Sequence, residues 1–349
     1  MYAAMEKNKF DMKNKKVTAI DVAKLAGVSQ PTVSRVFSSE GQSVSAEKRK
    51  RVEEAAKLLG YQPNVFAQSL ITNKTRIIGI VMTNLHNPFY PEVLSLFYEK
   101  LSKKGYHVLF ISSASDSIEE QEIHQFIKYH VEAVIVTDAL LTSSAAELFE
   151  RQNTPVIYFN RYSRNSRNHA VICDNYNAAF QIGNYLVESG HRNICYISGP
   201  ENTSTTEDRR KGFLDSLRKN KLKPTVIVNG NYDAEESYRV AKQVLLEHPT
   251  IDSLFCGNDI SAFGAMKAVT DLGKRIPEDI SVVGFDDIRM ARWPLYNLTT
   301  WKQPMEEMVE ETINIMLDHI GNKLDSPTTK LIPGELIVRN SVKNRSSVD

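Results

Sequence analysis

Two patterns of apolar residues divide the chain near Arg76. Before that point they recur at helical spacing, and after it short runs rich in Val and Ile alternate with amphipathic stretches. The first pattern predicts three short helices. Thr18 opens the first, with Asp21 three residues on to complete a capping box. Its apolar face is Ile20, Val22, Ala23, Leu25 and Ala26, and Gly27 ends it where a left-handed residue is favoured. Ser29 caps a second helix from Gln30 to about Phe37, and Pro31 falls in its first turn, where no intrahelical N–H is lost. A third helix begins after Ser45, turns Val52, Ala55, Ala56 and Leu59 inward, and stops at Gly60 and Pro63. The linker that follows has a helical pattern shorter than the ~12 residues an isolated helix needs.

The second pattern predicts strands at Ile77–Met82, His107–Ile111, Ala133–Thr137, Val156–Asn160, Ala170–Asp174, Ile194–Ser198, Val226–Asn229, Ser253–Cys256 and Val282–Asp286. Near-continuous apolar runs suit parallel strands covered on both faces. Helical stretches such as Glu92–Lys104, Ala178–Ser189, Arg210–Asn220 and Glu235–Glu247 separate them. Strand and helix in alternation define a doubly wound α/β body, and two such sheets in series leave a cleft between lobes. The fold class is thus a small all-α helix-turn-helix head plus an α/β body of two doubly wound parallel-sheet lobes.

Charge sharpens this division. The chain carries a net +1, yet up to Thr75 there are 13 Lys+Arg against 7 Asp+Glu, and acidic residues predominate after it. A basic head on a mildly acidic body suits a polyanion-binding module attached to something else. Cys173, Cys195 and Cys256 are far apart within apolar runs, which implies buried thiols rather than a disulfide framework or a zinc site. No apolar stretch approaches the ~20 residues that span a bilayer. The Lys-rich N-terminus lacks a signal peptide's apolar core, so a cytoplasmic protein with a disordered basic tail over residues 1–16 is expected. The chain has no GxxxxGKS, no GxGxxG after a strand, no Gly-x-Ser-x-Gly elbow and no His pair at metal spacing. The sequence therefore reads as a binding protein rather than an enzyme, with no cofactor.

The segment TAIDVAKLAGVSQPTVSRVFS, Thr18 to Ser38, carries the most chemistry. With Val22, Ala26, Val28, Val33 and Val36 turned inward, Gln30, Pro31, Thr32 and Arg35 face outward. A helix about 10–12 Å across fits the major groove of B-DNA. Arg matches a guanine edge, Gln an adenine edge, and Pro or Thr methyl groups a thymine methyl. Thr18, Ser29, Ser34 and Ser38 offer short hydroxyls for phosphate contacts. A three-helix bundle that binds protein is the alternative from these residues alone.

This segment, followed by SAEKRKRVEEAAKLLGYQPN, resembles the head of the lactose-repressor/galactose-repressor family of transcriptional regulators. The resemblance continues through FAQSLIT, RIIGIVM, NPFY, ESGHRNICYISGP, GNDISAFGAM, IPEDISVVGFDD and LTTWKQP, in the family's order, from Val17 to about Arg339. It implies a repressor of a carbohydrate-utilisation operon that binds a palindromic operator as a homodimer and is switched by a small molecule. Gln30 and Pro31 then occupy the variable base-reading positions and Arg35 the more constant one; Pro31 departs from the usual residues and has no hydrogen-bonding side chain. Residues 63–75 become a hinge that folds on operator DNA, with Asn64, Ala67 and Leu70 at the minor groove. Leu70 is either an apolar wedge between base steps or packing against the opposite hinge.

The same resemblance implies a body like a periplasmic sugar-binding protein over 76–340. Its N-lobe spans about 76–174 and 304–332, its C-lobe about 175–303 and 333–340, and a polar tail over 341–349 follows. Open α/β sheets bind ligands beyond the carboxyl ends of their strands. There Asp286, Arg209 and Asn258 are candidates for polar contacts, and Phe89, Tyr90 and Tyr232 for stacking. Asn160, Arg161, Asp174, Thr205 and Gln303 complete the set. Other roles stay open: Asp286 as a helix cap, Phe89 as core, Arg209 as a solvated charge. A sugar or sugar phosphate is the expected effector. A purine is the competitor, disfavoured because Thr203 stands where the purine-binding pattern has arginine. The short polar C-terminus lacks the leucine heptads of the family's tetramers.

Overall fold

The computed structural model describes residues 17–37, 44–62, 74–83, 85–113, 117–162, 168–321 and 326–346, in two compact units that part between Arg76 and Ile77. The basic tail, Ser38 and the hinge positions Asn64, Ala67 and Leu70 lie outside the described residues.

The first unit holds α1 (Ala19–Ala26), α2 (Gln30–Val36) and α3 (Ala46–Leu59). The capping box closes on Asp21, whose carboxylate accepts the Thr18 N–H at 2.9 Å and the Thr18 hydroxyl at 2.7 Å. Gly27 takes φ 62°, and Arg51 of α3 donates to its carbonyl at 3.0 Å, fastening the turn from below. The core is small: Val22, Ala23, Ala26, Val33, Val36, Val52, Ala55 and Ala56. One expectation fails here, and Ser29 is the N-cap as expected. Ile20 and Leu25 are 55% and 54% exposed rather than inward. At ~100° per residue both lie roughly 110° from the centre of the face that Val22, Ala23 and Ala26 share, beyond the reach of so thin a core. Ser29 begins α2 through its carbonyl, which accepts from Thr32 and Val33. Its hydroxyl is engaged with that of Thr32 at 2.9 Å, not with a backbone N–H.

The second unit begins with β1 (Ile77–Met82), α4 (Phe89–Lys103), β2 (His107–Ser112), β3 (Ser117–Ile118) and α5 (Glu120–Lys128). It continues through β4 (Ala133–Thr137), β5 (Leu140–Leu141), α6 (Ser143–Arg151), β6 (Val156–Phe159), β7 (His169–Cys173) and α7 (Asn175–Glu188). Then come β8 (Ile194–Ser198), α8 (Ser204–Lys219), β9 (Val226–Asn229), α9 (Ala234–Glu247), β10 (Ser253–Cys256), α10 (Asp259–Asp271) and β11 (Ser281–Asp286). Last are β12 (Thr299–Lys302), α11 (Met305–Ile320), β13 (Thr329–Ile332) and β14 (Glu335–Ile337).

β3 pairs with β5, and the other twelve strands build two sheets of six. One runs β13-β7-β6-β4-β1-β2 and is parallel throughout; the other runs β14-β12-β11-β10-β8-β9, parallel except for β14. The chain passes between them at Asp174, at Gln303–Pro304 and at Pro333–Gly334. Strands such as β4, β6, β8 and β11 are buried along their whole length, which is why uninterrupted Val/Ile runs marked them. All three cysteines are buried and unpaired.

The described part of the polar tail, residues 341–346, is bonded into the body. Ser341 is buried: its hydroxyl donates to the Val282 carbonyl at 2.6 Å and accepts from the Thr299 N–H at 2.8 Å. Further on, the Arg345 N–H meets the Ser189 carbonyl at 2.7 Å. Polar side chains here supply the hydrogen bonds that strand edges leave open, so residues 341–346 belong to the second lobe. Among the described residues no helix is long and apolar enough to cross a membrane.

Candidate functional site

Each unit presents one candidate surface. In the first, α2 turns Val33 and Val36 into the core and leaves Gln30, Pro31 and Arg35 exposed, with Thr32 and Ser34 half-buried. Pro31 and Arg35 are four residues apart, so they sit one above the other on a helical face. Gln30 donates to the Ser34 hydroxyl at 3.2 Å, a weak tie that leaves its amide free to reorient toward a base edge. Thr18 and Ser29, exposed at the starts of α1 and α2, place hydroxyls beside helix N-termini, where phosphate is favoured.

In the second unit a cavity of about 20 Å³ lies at the carboxyl ends of both sheets, lined by Asn87, Phe89, Tyr90, Asp138, Asn160, Thr205, Arg209, Tyr232, Asn258 and Asp286. Eight of these are sequence candidates. Arg161 and Gln303 sit one bond behind: Arg161 pairs with Asp138 at 2.8 Å, and Gln303 donates to Asp286 at 2.7 Å. Asp174 is not among the lining residues. Its carboxylate caps α7, accepting from the Asn177 N–H at 3.2 Å and side chain at 2.6 Å. Asn87 and Asp138 were missed, although Asp138 ends the run VIVTD just as Asp286 ends VVGFD.

Arg209 is the anchor. It is 3% exposed, donates to Asn175 Oδ1 at 2.8 Å and to the Gly257 carbonyl at 2.5 Å, and lies with its carbon 3.5 Å from the centre of the Phe285 ring. It is therefore no solvated charge. Burial holds the Asp286 carboxyl up at about 6, although Arg209 and hydrogen bonds from Gln303 and Asn87 pull it down. Tyr232 lies across Gly199 and Gly257, where a Cβ would meet its ring at 2.1 and 2.8 Å, and its hydroxyl bonds with that of Thr206 at 2.9 Å. Phe89 packs edge-on against Tyr90, whose hydroxyl accepts from Asn160 Nδ2 at 3.1 Å.

Backbone strain collects at the same place. Asp138, Asn160, Tyr232 and Asp286 all have positive φ, 55°, 66°, 57° and 123°. Such conformations cost about 1–3 kcal/mol each and persist where the surroundings hold them. Two nine-tenths-buried acceptors, Asn160 Oδ1 and Gln303 Oε1, have no hydrogen-bond partner. The constellation holds hydroxyl-matching polar groups beside aromatic rings, without a nucleophile–base pair. Among the described residues there is also no cluster of three His, Cys, Asp or Glu able to hold a metal.

A head of this kind joined to a two-lobed, periplasmic-binding-like body defines a DNA-binding regulator with an effector-binding domain, not an enzyme. Residues 18–64 match the family described as bacterial regulatory proteins, lacI family. Residues 75–340 match the periplasmic binding proteins and sugar binding domain of the LacI family. The chain belongs to the LacI family of transcriptional repressors. It is 34% identical to the HTH-type transcriptional repressor PurR of Erwinia tasmaniensis over 93% of this chain and 96% of that one. It is 33% identical to the ribose operon repressor of Halalkalibacterium halodurans, covering 93% and 97%. Among solved structures it is similar to the lac repressor dimer bound to operator and an anti-inducer, with TM-score 0.83 and 27% identity over 94% of this chain and all of that one. It is also similar to a CelR–cellobiose complex, with TM-score 0.70 and 26% identity over 93% and 99%.

Proposed function

We propose that the chain acts as a homodimer that reads a two-fold symmetric operator with α2 and is switched by a sugar seated in the cavity between its lobes. The observation that carries the effector reading is the cavity itself. Two carboxylates, the unpartnered carboxamide oxygen of Asn160 and three aromatic rings converge at the strand ends where α/β sheets bind ligands. Sugars meet such sites with donating hydroxyls and an apolar ring face. Thr203, which lacks the purine-pattern guanidinium, serves instead as the N-cap of α8, accepting from the Thr206 N–H at 3.4 Å. The ribose operon repressor and the CelR–cellobiose complex are relatives whose names favour a sugar; the PurR relatives keep a purine as the second reading.

The dimer follows from reach. A seven-residue helix touches only a few base pairs, and two-fold symmetry doubles the site. The switch follows from volume: about 20 Å³ holds roughly one water. A sugar enters only if the lobes part, and the ligand shifts that equilibrium by its differential affinity for the two states. The lobe movement reaches the operator through the linker at 63–75, where Asn64, Ala67 and Leu70 are assigned to the minor groove.

The test is selection from a randomised pool of palindromic duplexes, with and without sugars and purines. Enrichment of one symmetric site, with affinity changed by a sugar, is the expected result. A response to purines alone overturns the sugar reading, and no enrichment overturns operator binding by α2.

A further inference from the structure

We infer that Gly199 and Gly257 are positioning residues for the effector: together they seat the Tyr232 ring against which the sugar packs. The inference rests on the sugar reading above. β8 and β10 are neighbours in the second sheet, and the two glycines follow their last residues, Ser198 and Cys256. A Cβ on Gly199 would fall well inside contact distance of three ring carbons of Tyr232. One on Gly257 would meet the same ring at 2.8 Å. Neither glycine has a positive φ, so no left-handed backbone calls for glycine at either position. What calls for it is the close approach of the ring.

Other bonds fix the ring from its two ends. Tyr232 has φ 57°, a conformation that is costly for a bulky residue and persists where the surroundings hold it. Its hydroxyl bonds with that of Thr206 at 2.9 Å, and Thr206 accepts from the Thr203 hydroxyl at 2.9 Å. Its carbonyl accepts from Asn258 Nδ2 at 3.4 Å. The hydroxyl is thus committed to α8. Tyr232 lines the cavity and the glycines do not, so the ring stands between the strand ends and the ligand space. An aromatic ring held there offers its apolar surface to the apolar face of a sugar. The glycines, Thr206, Tyr232 and Asn258 all belong to the second lobe, so the seat travels with that lobe when the lobes part. A methyl group at Gly199 displaces the ring away from β8 and β10, into a cavity of about 20 Å³.

The experiment is calorimetric titration of the full-length protein, Gly199→Ala, Tyr232→Leu and the double variant with ribose, glucose and hypoxanthine. Leucine stops short of the ring carbons that Gly199 faces, so it removes the clash and keeps an apolar side chain. Gly199→Ala is expected to weaken the sugar that binds by about tenfold or more. In the Tyr232→Leu background the same substitution should change affinity by no more than about twofold, because no ring is left to displace. Equal losses in both backgrounds, or a loss in neither, would overturn the inference and leave the sugar reading intact. A melting temperature lowered by Gly199→Ala with sugar affinity unchanged would give the glycine a structural role only, against the inference. Where Gly199→Ala fails to fold, Gly257→Ala carries the same cycle, since its Cβ meets the ring less closely. Binding of hypoxanthine alone, or of nothing in the panel, overturns the sugar reading and the inference with it.

Discussion

The two units solve recognition in opposite ways. In the first, the candidate contact residues Gln30, Pro31 and Arg35 are exposed and lie on a regular helix stiffened by eight small core residues. In the second, Arg209, Asp286, Asn160 and Asn258 are all 4% exposed or less; Asp286 and Asn160 project from positive-φ turns, Asn258 from a capped helix start and Arg209 from the second turn of α8. The difference follows from the partner. A duplex presents a continuous surface and a dense charge, so side chains need only stand proud of a helix. A small molecule has to be surrounded, and every polar group buried to surround it needs a partner when the site is closed. The head can therefore lose a contact residue without losing its fold, while the body cannot.

The largest effect expected from that contrast is at Arg209. Arg209→Ala removes the guanidinium that serves Asn175, Gly257 and the charge of Asp286 together. Breaking a buried pair by removing one partner costs about 3–5 kcal/mol. Calorimetric unfolding should show the body melting lower, and sugar binding should fall at least 100-fold. Operator binding without effector should stay within about threefold in mobility-shift assays, because the head holds none of these bonds. Next comes Arg35→Ala, which should weaken operator binding about 10- to 100-fold and leave both the melting temperature and sugar affinity unchanged. A loss of stability at Arg35, or none at Arg209, would break the comparison.

The same contrast explains how far the sequence could be read. β1, β4, β8, β9 and β10 match the expected residues end to end. In β1, β4, β8 and β10 the apolar runs are set by the need to cover a sheet from both sides, while β9 is a half-buried edge strand. The apolar pattern does not mark β12, β13 and β14: TKLI and ELI are short, mixed and at sheet edges, where burial no longer dictates the pattern, and TTWK, though largely buried, carries two threonines and a lysine in four residues. The apolar period places two helix starts at Ala178 and Arg210, whereas α7 begins at Asn175 and α8 at Ser204. Their first turns are hydrogen-bonding residues with no apolar period. The site was legible wherever a polar residue ends an apolar strand run, as at Asp286 and Asn258. Asp174 satisfies the same rule and caps α7 as Asn258 caps α10, yet only Asn258 lines the cavity, so the cap alone does not separate the two. Asp138 followed the rule and was passed over, and Asn87 was hidden within the NPFY motif.

Asp286 sharpens the contrast through pH. Its carboxyl, ordinarily near 3.8, is held up at about 6 by burial. A raised folded value stabilises the protein when the group is protonated, and that contribution is lost as pH rises through about 6. Sugar binding has the opposite sign, because donating hydroxyls favour the ionised carboxylate. Affinity should be flat above about pH 6.5 and fall roughly tenfold per pH unit below 6. In Asp286→Asn the binding profile should lose that slope, whatever its absolute affinity. Operator affinity without effector should show no matching inflection, since Asp286 belongs to the other unit. An inflection near 6 that survives in Asp286→Asn would assign the titration to another group.

The smallest effect is the most direct probe of how the head is built. Ile20 and Leu25 look like core residues in sequence but are more than half exposed, whereas Val22 between them is fully buried. Exposed positions free of special contacts change stability by less than about 0.5 kcal/mol, so Ile20→Ser and Leu25→Ser should unfold at the same denaturant concentration as the parent head. Val22→Ala should cost about 1–2 kcal/mol, the transfer term for two buried carbons plus part of the space they leave. Among the described residues the head has eight buried core side chains, all Val or Ala, and little total stability to draw on. That modest loss should therefore show as a clear shift in the first unfolding transition while the second stays in place. If Ile20→Ser shifts the transition as far as Val22→Ala, the face chosen for α1 is wrong. If only operator binding changes, then the exposed edge of α1 belongs with α2 in the contact surface.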